Sequence, residues 1–249
     1  MQDLKILYRD DHFVAVDKPV GMLVHRTKLA KGVRRIAVQQ LWNQLGQQVF
    51  SLHRLDRPTS GVLLFALDQN SAREVSELFE QHQVEKTYVA LTRGHCPSEG
   101  TIDVPLVEMF DKTTDVAERK DKEPQQAVTD YRCLQQVVYP HPVGRYETAR
   151  YSLVQLSPQT GRRHQIRRHL KHINYPIIGD RKHGDRDHNA FFKEHFEIDR
   201  MLLVAKRLRF VHPVTNEKVE IDATLGEPFL RVLSQLGFET TVDAKFPCD

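Results

Sequence analysis

Cysteine is scarce in this chain. Cys96, Cys133 and Cys248 form an odd set at wide spacing, with no Cys-x-x-Cys pair. This argues against a disulfide framework and a zinc ribbon and fits a reducing cytosol, so a cytoplasmic protein is expected. Long apolar runs are lacking too. The N-terminal Met1-Gln2-Asp3-Leu4-Lys5-Ile6-Leu7-Tyr8 has no basic start leading into an apolar core, and no stretch is long enough to cross a bilayer. Neither a signal peptide nor a membrane association is expected. There is no P-loop, no dinucleotide-binding fingerprint and no His-Glu-x-x-His, which is consistent with a protein that needs no cofactor, and none is expected. His164, His169 and His172 stand five and three apart, but their stretch carries no carboxylate and its positive charge repels a divalent cation, so no metal is expected either. An excess of one charge is also absent: 36 Lys+Arg against 33 Asp+Glu leave a net +3, too little to imply a polyanionic partner by itself.

A chain of 249 residues, 40% of them hydrophobic, can bury a sizeable core. Its charge is clustered where the total is not. Residues 162–172 hold Arg162, Arg163, Arg167, Arg168 and Lys171 with three histidines and no acid. Such a segment is either a solvated helix face or a phosphate-neutralising patch. A second cluster lies in residues 53–61, His-Arg-Leu-Asp-Arg-Pro-Thr-Ser-Gly, where Asp56 sits among two arginines, a histidine and two hydroxyls. The apolar run Val62–Leu67 follows at once and reads as a buried strand. Asp56 is then either a structural ion-pair partner pinning the turn or a reactive carboxylate at a strand edge.

The periodicity predicts a hairpin over Leu4–Val16 turning at Asp10-Asp11, and a helix over Ile36–Leu45. A further helix is expected from Ser71, capped by its hydroxyl with Glu74 completing a capping box, and carrying Ala72, Val75, Leu78, Phe79 and His82 on one face. Strands are expected over Lys86–Thr92, Thr129–Val138, Tyr151–Ser157, Leu202–Val211 and Val219–Ile221. Gly161 is expected to open a basic helix running to about Lys171, and a last helix to cover Pro228–Leu236. Hairpins mixed with single helices give an α+β class with a largely antiparallel sheet. Two polar stretches, residues 111–124 and 182–199, read as long surface insertions in a single domain of residues 1–249.

The 53–61 stretch resembles the central motif of the RluA-type pseudouridine synthases, His-Arg-Leu-Asp-x-x-Thr-Ser-Gly. Three more segments match that family in order. They are Lys18-Pro19-Val20-Gly21 with His25, Lys86-Thr87-Tyr88-Val89-Ala90 with Gly94, and Pro158-Gln159-Thr160-Gly161-Arg162-Arg163-His164-Gln165-Ile166-Arg167. The resemblance implies the pseudouridine synthase fold and an isomerase that converts uridine to pseudouridine in RNA. It assigns catalysis to Asp56, Tyr88 and Arg167, and to Arg54 the filling of the space left by the extruded base. Arg162, Arg163, Arg168 and Lys171 would meet RNA. Lys18, His53, Thr59, Ser60, Gly61, Gly161, His164 and Gln165 would support the architecture.

The catalytic pattern begins near the first residue, so the S4 domain found in front of many relatives is not expected. Phe79–Gln83, Thr160–His172 and Ile178–Asp185 resemble family members that act on uridine-65 in the T stem of tRNA, so tRNA is the expected partner of a monomeric enzyme. The same chemistry on ribosomal RNA, or a non-catalytic RNA-binding or chaperone module, are the alternatives.

Overall fold

The computed structural model describes residues 3–26, 35–109 and 123–239. In chain order the first half gives β1 (Ile6–Arg9), β2 (Phe13–Lys18), α1 (Ala37–Leu45), β3 (Phe50–Ser51), β4 (Ser60–Ala66), α2 (Gln69–Glu80) and β5 (Glu85–Arg93). The second half gives β6 (Glu99–Asp103), β7 (Val128–Tyr139), β8 (Ala149–Pro158), α3 (Gln165–His172), α4 (Arg186–His195), β9 (Leu203–Val211), β10 (Lys218–Asp222) and α5 (Glu227–Leu236).

The unbroken apolar run of β4 has a simple cause: both faces of this strand are covered. Leu63 and Phe65 pack with Val14, Val16 and Leu41 on the α1 side, while Val62, Leu64 and Ala66 pack with Phe13, Ala15 and Val75 on the α2 side. The strands form one sheet in the order β1-β2-β4-β9-β5-β8-β7-β6, with β3 added to β4 and β10 to β9. All pairings are antiparallel except β4 with β9, which meet at Ser60–Val204 and Gly61–Ala205. There the backbones approach so closely that a Cβ on Gly61 would lie 2.2 Å from the Ala205 carbonyl oxygen. Gly61, with φ +109°, has no substitute in that turn. The α+β class and the mainly antiparallel sheet agree with expectation.

Parity along β5 decides what reaches the site. Val89 and Leu91 face a core built with α4 and α5. Ala90 and Tyr88 face the opposite side, where Ile166 and Leu170 of α3 pack.

Several boundaries differ from the sequence reading. Helix α2 starts earlier, because Asp68 and not Ser71 is its cap: the Asp68 carboxylate accepts the Asn70 and Ser71 N–H groups, and also the Ser71 hydroxyl at 2.6 Å. His82 lies beyond the end of that helix, at φ 58°. Helix α3 starts at Gln165, four residues after Gly161, and His164 precedes it in a left-handed conformation, φ 57°. The stretch 182–199 is no surface insertion. Asp185 caps α4, and Phe192, Phe196 and Ile198 sit in the largest core cluster. Burying a phenylalanine such as Phe192 contributes about 2–3 kcal/mol. The other polar stretch, 111–124, falls outside the described residues except for its last two positions. Strand β6 was not anticipated, since only Ile102 of its five residues is buried.

Candidate active site

The 53–61 turn is fixed from behind by the 18–22 segment. Gly21 N–H donates to the Arg57 carbonyl at 2.8 Å, and Arg57 Nε donates to the Gly21 carbonyl at 3.0 Å. Lys18, wholly buried, donates its ammonium to the carbonyls of Pro19 (3.1 Å), Met22 (3.0 Å) and Arg57 (3.5 Å). Burial pushes its pKa down to about 7, against the pull of the Asp56 charge. His53 accepts the Leu64 N–H through Nε2 at 3.0 Å and stacks on Phe79. Burial pushes its pKa down to about 4, so it stays neutral. Thr59 N–H closes the turn on the Asp56 carbonyl at 3.0 Å, and the Ser60 hydroxyl accepts from Arg200 at 3.0 Å. Every one of these contacts orients the loop that presents Asp56.

From the other side comes α3. Gln165 is buried and uses its whole amide: Oε1 accepts from the Thr160 hydroxyl and the Arg162 N–H, while Nε2 donates to the Val128 carbonyl and the Thr129 hydroxyl. This lock sets the start of the helix and aims Arg167 inward, with its side chain 5% exposed. Arg167 divides its fork between two acids. Nη1 donates to Asp56 Oδ2 at 2.8 Å, while Nε and Nη2 grip both oxygens of Asp180 at 2.7 and 2.8 Å. Burial alone would lower the Arg167 pKa, but the bonds and charges of Asp180 and Asp56 hold it above its ordinary value. Burial would raise Asp180, yet Arg167 and the His183 and Lys182 N–H groups keep its pKa below the usual carboxylate range.

Asp180 had no role assigned from the sequence, where it stands only inside the stretch Ile178–Asp185. It is placed by a turn that tolerates nothing but glycine at 179. A Cβ there would lie 1.8 Å from the Arg200 carbonyl oxygen. Asn189 of α4 pins both sides of the turn, accepting the Gly179 N–H at 2.7 Å and donating to the Asp180 carbonyl at 3.0 Å.

Asp56, Tyr88 and Arg167 thus line one cleft of about 430 Å³, together with Arg54, Phe79, His82, Thr160, Gly161 and His164. Asp56 Oδ2 holds the Arg167 bond, and no described residue donates a hydrogen bond to its Oδ1. Burial and then the Asp56 charge push the Tyr88 phenol above its ordinary pKa. The arrangement offers one oriented carboxylate oxygen, a neutral phenol and an apolar wall.

The predicted RNA contacts are placed differently from one another. Arg54 is exposed at the cleft, and its guanidinium makes no hydrogen bond to the described residues. Lys171 is exposed on α3. Arg162, Arg163 and Arg168 donate to the carbonyls of Gln126, Met109 and Val107, so each also braces the chain on either side of residues 110–122. The buried His169 does likewise toward Val104 and Thr129. Among the described residues no group of three His, Cys, Asp or Glu side chains is arranged to hold a metal, and no helix is long and apolar enough to cross a membrane.

Comparison with known proteins agrees with this geometry. Residues 12–172 match the family described as RNA pseudouridylate synthase. Curated relatives named tRNA pseudouridine synthase C include that of Vibrio cholerae, 48% identical over 96% of this chain and 98% of its own length. The Pectobacterium carotovorum protein of that name is 47% identical over 99% of this chain, which spans 66% of its length. Among solved structures, human RNA pseudouridylate synthase domain containing 1 superposes with a TM-score of 0.69 at 28% identity, over 93% of this chain and 86% of that one. Human RNA pseudouridylate synthase domain containing 4 gives 0.68 at 29%, over 93% and 92%. With the motif matches in order along the same sheet, the chain belongs to the RNA pseudouridine synthase family of isomerases, in its RluA-type branch.

Proposed function

We propose that this protein isomerises uridine to pseudouridine in tRNA, at uridine-65 of the T stem, with Asp56, Tyr88 and Arg167 around the reacting nucleotide. The observation that carries the reading is the state of Asp56: one oxygen is held by Arg167, and the other, without a donor among the described residues, lies in a cleft of nucleoside size. The tRNA assignment draws on the curated relatives, whose name specifies tRNA. Uridine-65 draws on the resemblance of Phe79–Gln83 and Thr160–His172, several of whose side chains line the cleft.

The reaction breaks the N1–C1′ bond, turns the uracil and forms a C5–C1′ bond. C5 loses a proton and N1 gains one, so nothing is oxidised and no group leaves. Paired or stacked uridine hides its C1′, and the base must first be extruded. Arg54 at the cleft mouth has a planar guanidinium suited to stacking in the vacated space. Arg167 holds one oxygen of Asp56 and aims the other at the ribose, where it either attacks C1′ or takes the C2′ proton. Tyr88 packs on the uracil. Its raised pKa makes a stored phenolate costly, so it passes the C5 proton as a hydroxyl relay. Arg162, Arg163, Arg168 and Lys171 neutralise backbone phosphates, and a guanidinium with five N–H donors is not exhausted by one carbonyl.

The test incubates the protein and its Asp56→Asn variant with unmodified tRNA transcripts and maps pseudouridine by carbodiimide-blocked primer extension. A stop reporting uridine-65, with the variant slower by on the order of 10³-fold or more while still binding tRNA, is expected. A stop only on ribosomal RNA fragments would retain the chemistry and refute the substrate. Unimpaired function of the variant would refute the catalytic role of Asp56.

A further inference from the structure

His164 and His183 form an imidazole pair beside the reactive carboxylate. His164 Nδ1 lies 3.0 Å from His183 Nε2, and His164 Nε2 lies 3.9 Å from Asp56 Oδ2. The rings meet edge to face, at 83°. His164 lines the cleft with its side chain 14% exposed, and it is held there by a left-handed backbone, φ 57° and ψ 26°, that non-glycine residues adopt only under local demand. The ring is therefore presented to the cleft at some conformational cost, which invites a role.

One proton lies between the two imidazoles, and its owner follows from electrostatics. If His164 Nδ1 held it, the Nε2 lone pair of His164 would face the Asp56 carboxylate. If His183 Nε2 holds it and donates to His164 Nδ1, then His164 carries its own proton on Nε2, directed at Asp56. The second tautomer replaces a repulsion with an attraction and is the one assigned here. The pair stays neutral in the neutral range, because burial and then the nearby cations Arg167 and Lys182 disfavour protonation of His164 despite Asp56. Burial does the same at His183, with Arg167, Lys182 and Arg168 adding to it against Asp180.

The separation of 3.9 Å is too long for a hydrogen bond, yet an atom about 2.8 Å from each can bridge it. The bridging group must accept from Nε2–H and donate to a carboxylate. A uracil carbonyl only accepts, so it is excluded; a hydroxyl does both. Chemistry at C1′ brings the ribose against Asp56, the 3′-oxygen is esterified in the chain, and the hydroxyl adjoining C1′ is the 2′-OH. We propose that His164 donates its Nε2–H to the ribose 2′-hydroxyl of the bound uridine, while His183 is a positioning residue that fixes the tautomer able to do so. The pair thereby reads RNA against DNA at the target nucleotide. This rests on the uridine-isomerisation reading above, and it names a recognition contact which that reading leaves open.

The experiment is a thermodynamic cycle between a side chain and a substrate atom. T-arm RNAs carrying uridine or 2′-deoxyuridine at the target are compared with the wild-type protein, His164→Ala, His183→Phe and His183→Gln. The readout is kcat/KM from single-turnover pseudouridine formation, which cancels any purely chemical effect of the 2′-group. If a deoxy RNA is too slow to time, its inhibition constant against the uridine RNA replaces it. His164→Ala should lower kcat/KM for uridine RNA about three- to tenfold, the size of one neutral hydrogen bond, and leave the deoxy RNA unaffected. His183→Phe should follow it in part. His183→Gln should restore recognition, because the Gln side-chain amide can donate to His164 Nδ1. Equal losses for both RNAs would mean a structural role only and overturn the proposal, as would a glutamine variant no better than phenylalanine. Absence of pseudouridine from wild-type reactions would refute the parent reading instead.

Discussion

Asp56 and Asp180 share one guanidinium and are held in opposite ways. Asp180 is 2% exposed and saturated: both oxygens meet Arg167, and the Lys182 and His183 N–H groups donate to Oδ1 as well. Asp56 takes a single bond from Arg167 Nη1, and its other oxygen receives no hydrogen bond from the described residues. A saturated carboxylate is a fixture. One with an open oxygen in a partly desolvated cleft is a reagent. The difference also fits the role proposed for Asp56: Asp180 supplies most of the compensation that burying Arg167 requires, so the arginine does not depend on Asp56 alone.

Removing that compensation is the most severe way to break the comparison. Asp180→Asn leaves the buried Arg167 without its principal counter-charge and turns one acceptor into a donor facing N–H groups. A loss of about 3 kcal/mol in denaturant unfolding is expected, with a fall in kcat exceeding any change in KM. Retention of wild-type kcat would show that Asp56 is oriented without Asp180, contrary to the assigned geometry.

Acid probes the same network more gently. His53 and His164 both have pKa values pushed down to about 4 in the folded protein, His53 by burial and Lys86, His164 by burial against the pull of Asp56. A histidine depressed on folding binds fewer protons folded than unfolded, so its contribution to stability is full above the unfolded value near 6.5 and declines as pH falls toward 4. Asp180, with its pKa lowered, adds to the decline only once pH passes below the unfolded carboxylate value. Thermal melts should therefore show a falling Tm from about pH 6.5 downward, beginning above the unfolded carboxylate range. A Tm flat to pH 5 would contradict the neutral burial of these rings.

The two acids also differ in how plainly the sequence announced them. Asp56 stands in a dense motif ahead of an unmistakable buried strand, and Arg167 in a second motif at helical spacing, so both were readable as residue types in a pattern. Asp180 lies in a stretch where His, Asp, Arg and Lys alternate without an apolar period, which reads as solvent-facing. The helix that pins it was present in the letters: Asp185 is a cap, and Phe192 and Phe196 stand four apart. Charged neighbours masked that spacing. The fold class survived such errors because it depends on β4, β5, β8 and β9, whose apolar content is not ambiguous. What no local pattern could supply was the pairing of residues 111 positions apart in Asp56 and Arg167, since that is a property of the sheet order.

The contrast between fixed and open charge extends to the cations and gives the smallest expected effect. Arg167 is bonded at three nitrogens and buried, whereas Arg54 is exposed at the cleft without a hydrogen bond to the described residues. Arg54→Ala should therefore leave Tm nearly unchanged, since an exposed residue without a hydrogen bond to the described residues contributes within about 0.5 kcal/mol. It should raise KM for tRNA a few fold and flatten the dependence of log affinity on log salt by about one contact. A shared loss of Tm and affinity would instead make Arg54 a brace of the 53–61 turn. Unchanged affinity at every salt concentration would remove it from the proposed RNA interface, leaving Arg162, Arg163, Arg168 and Lys171 to face the phosphates.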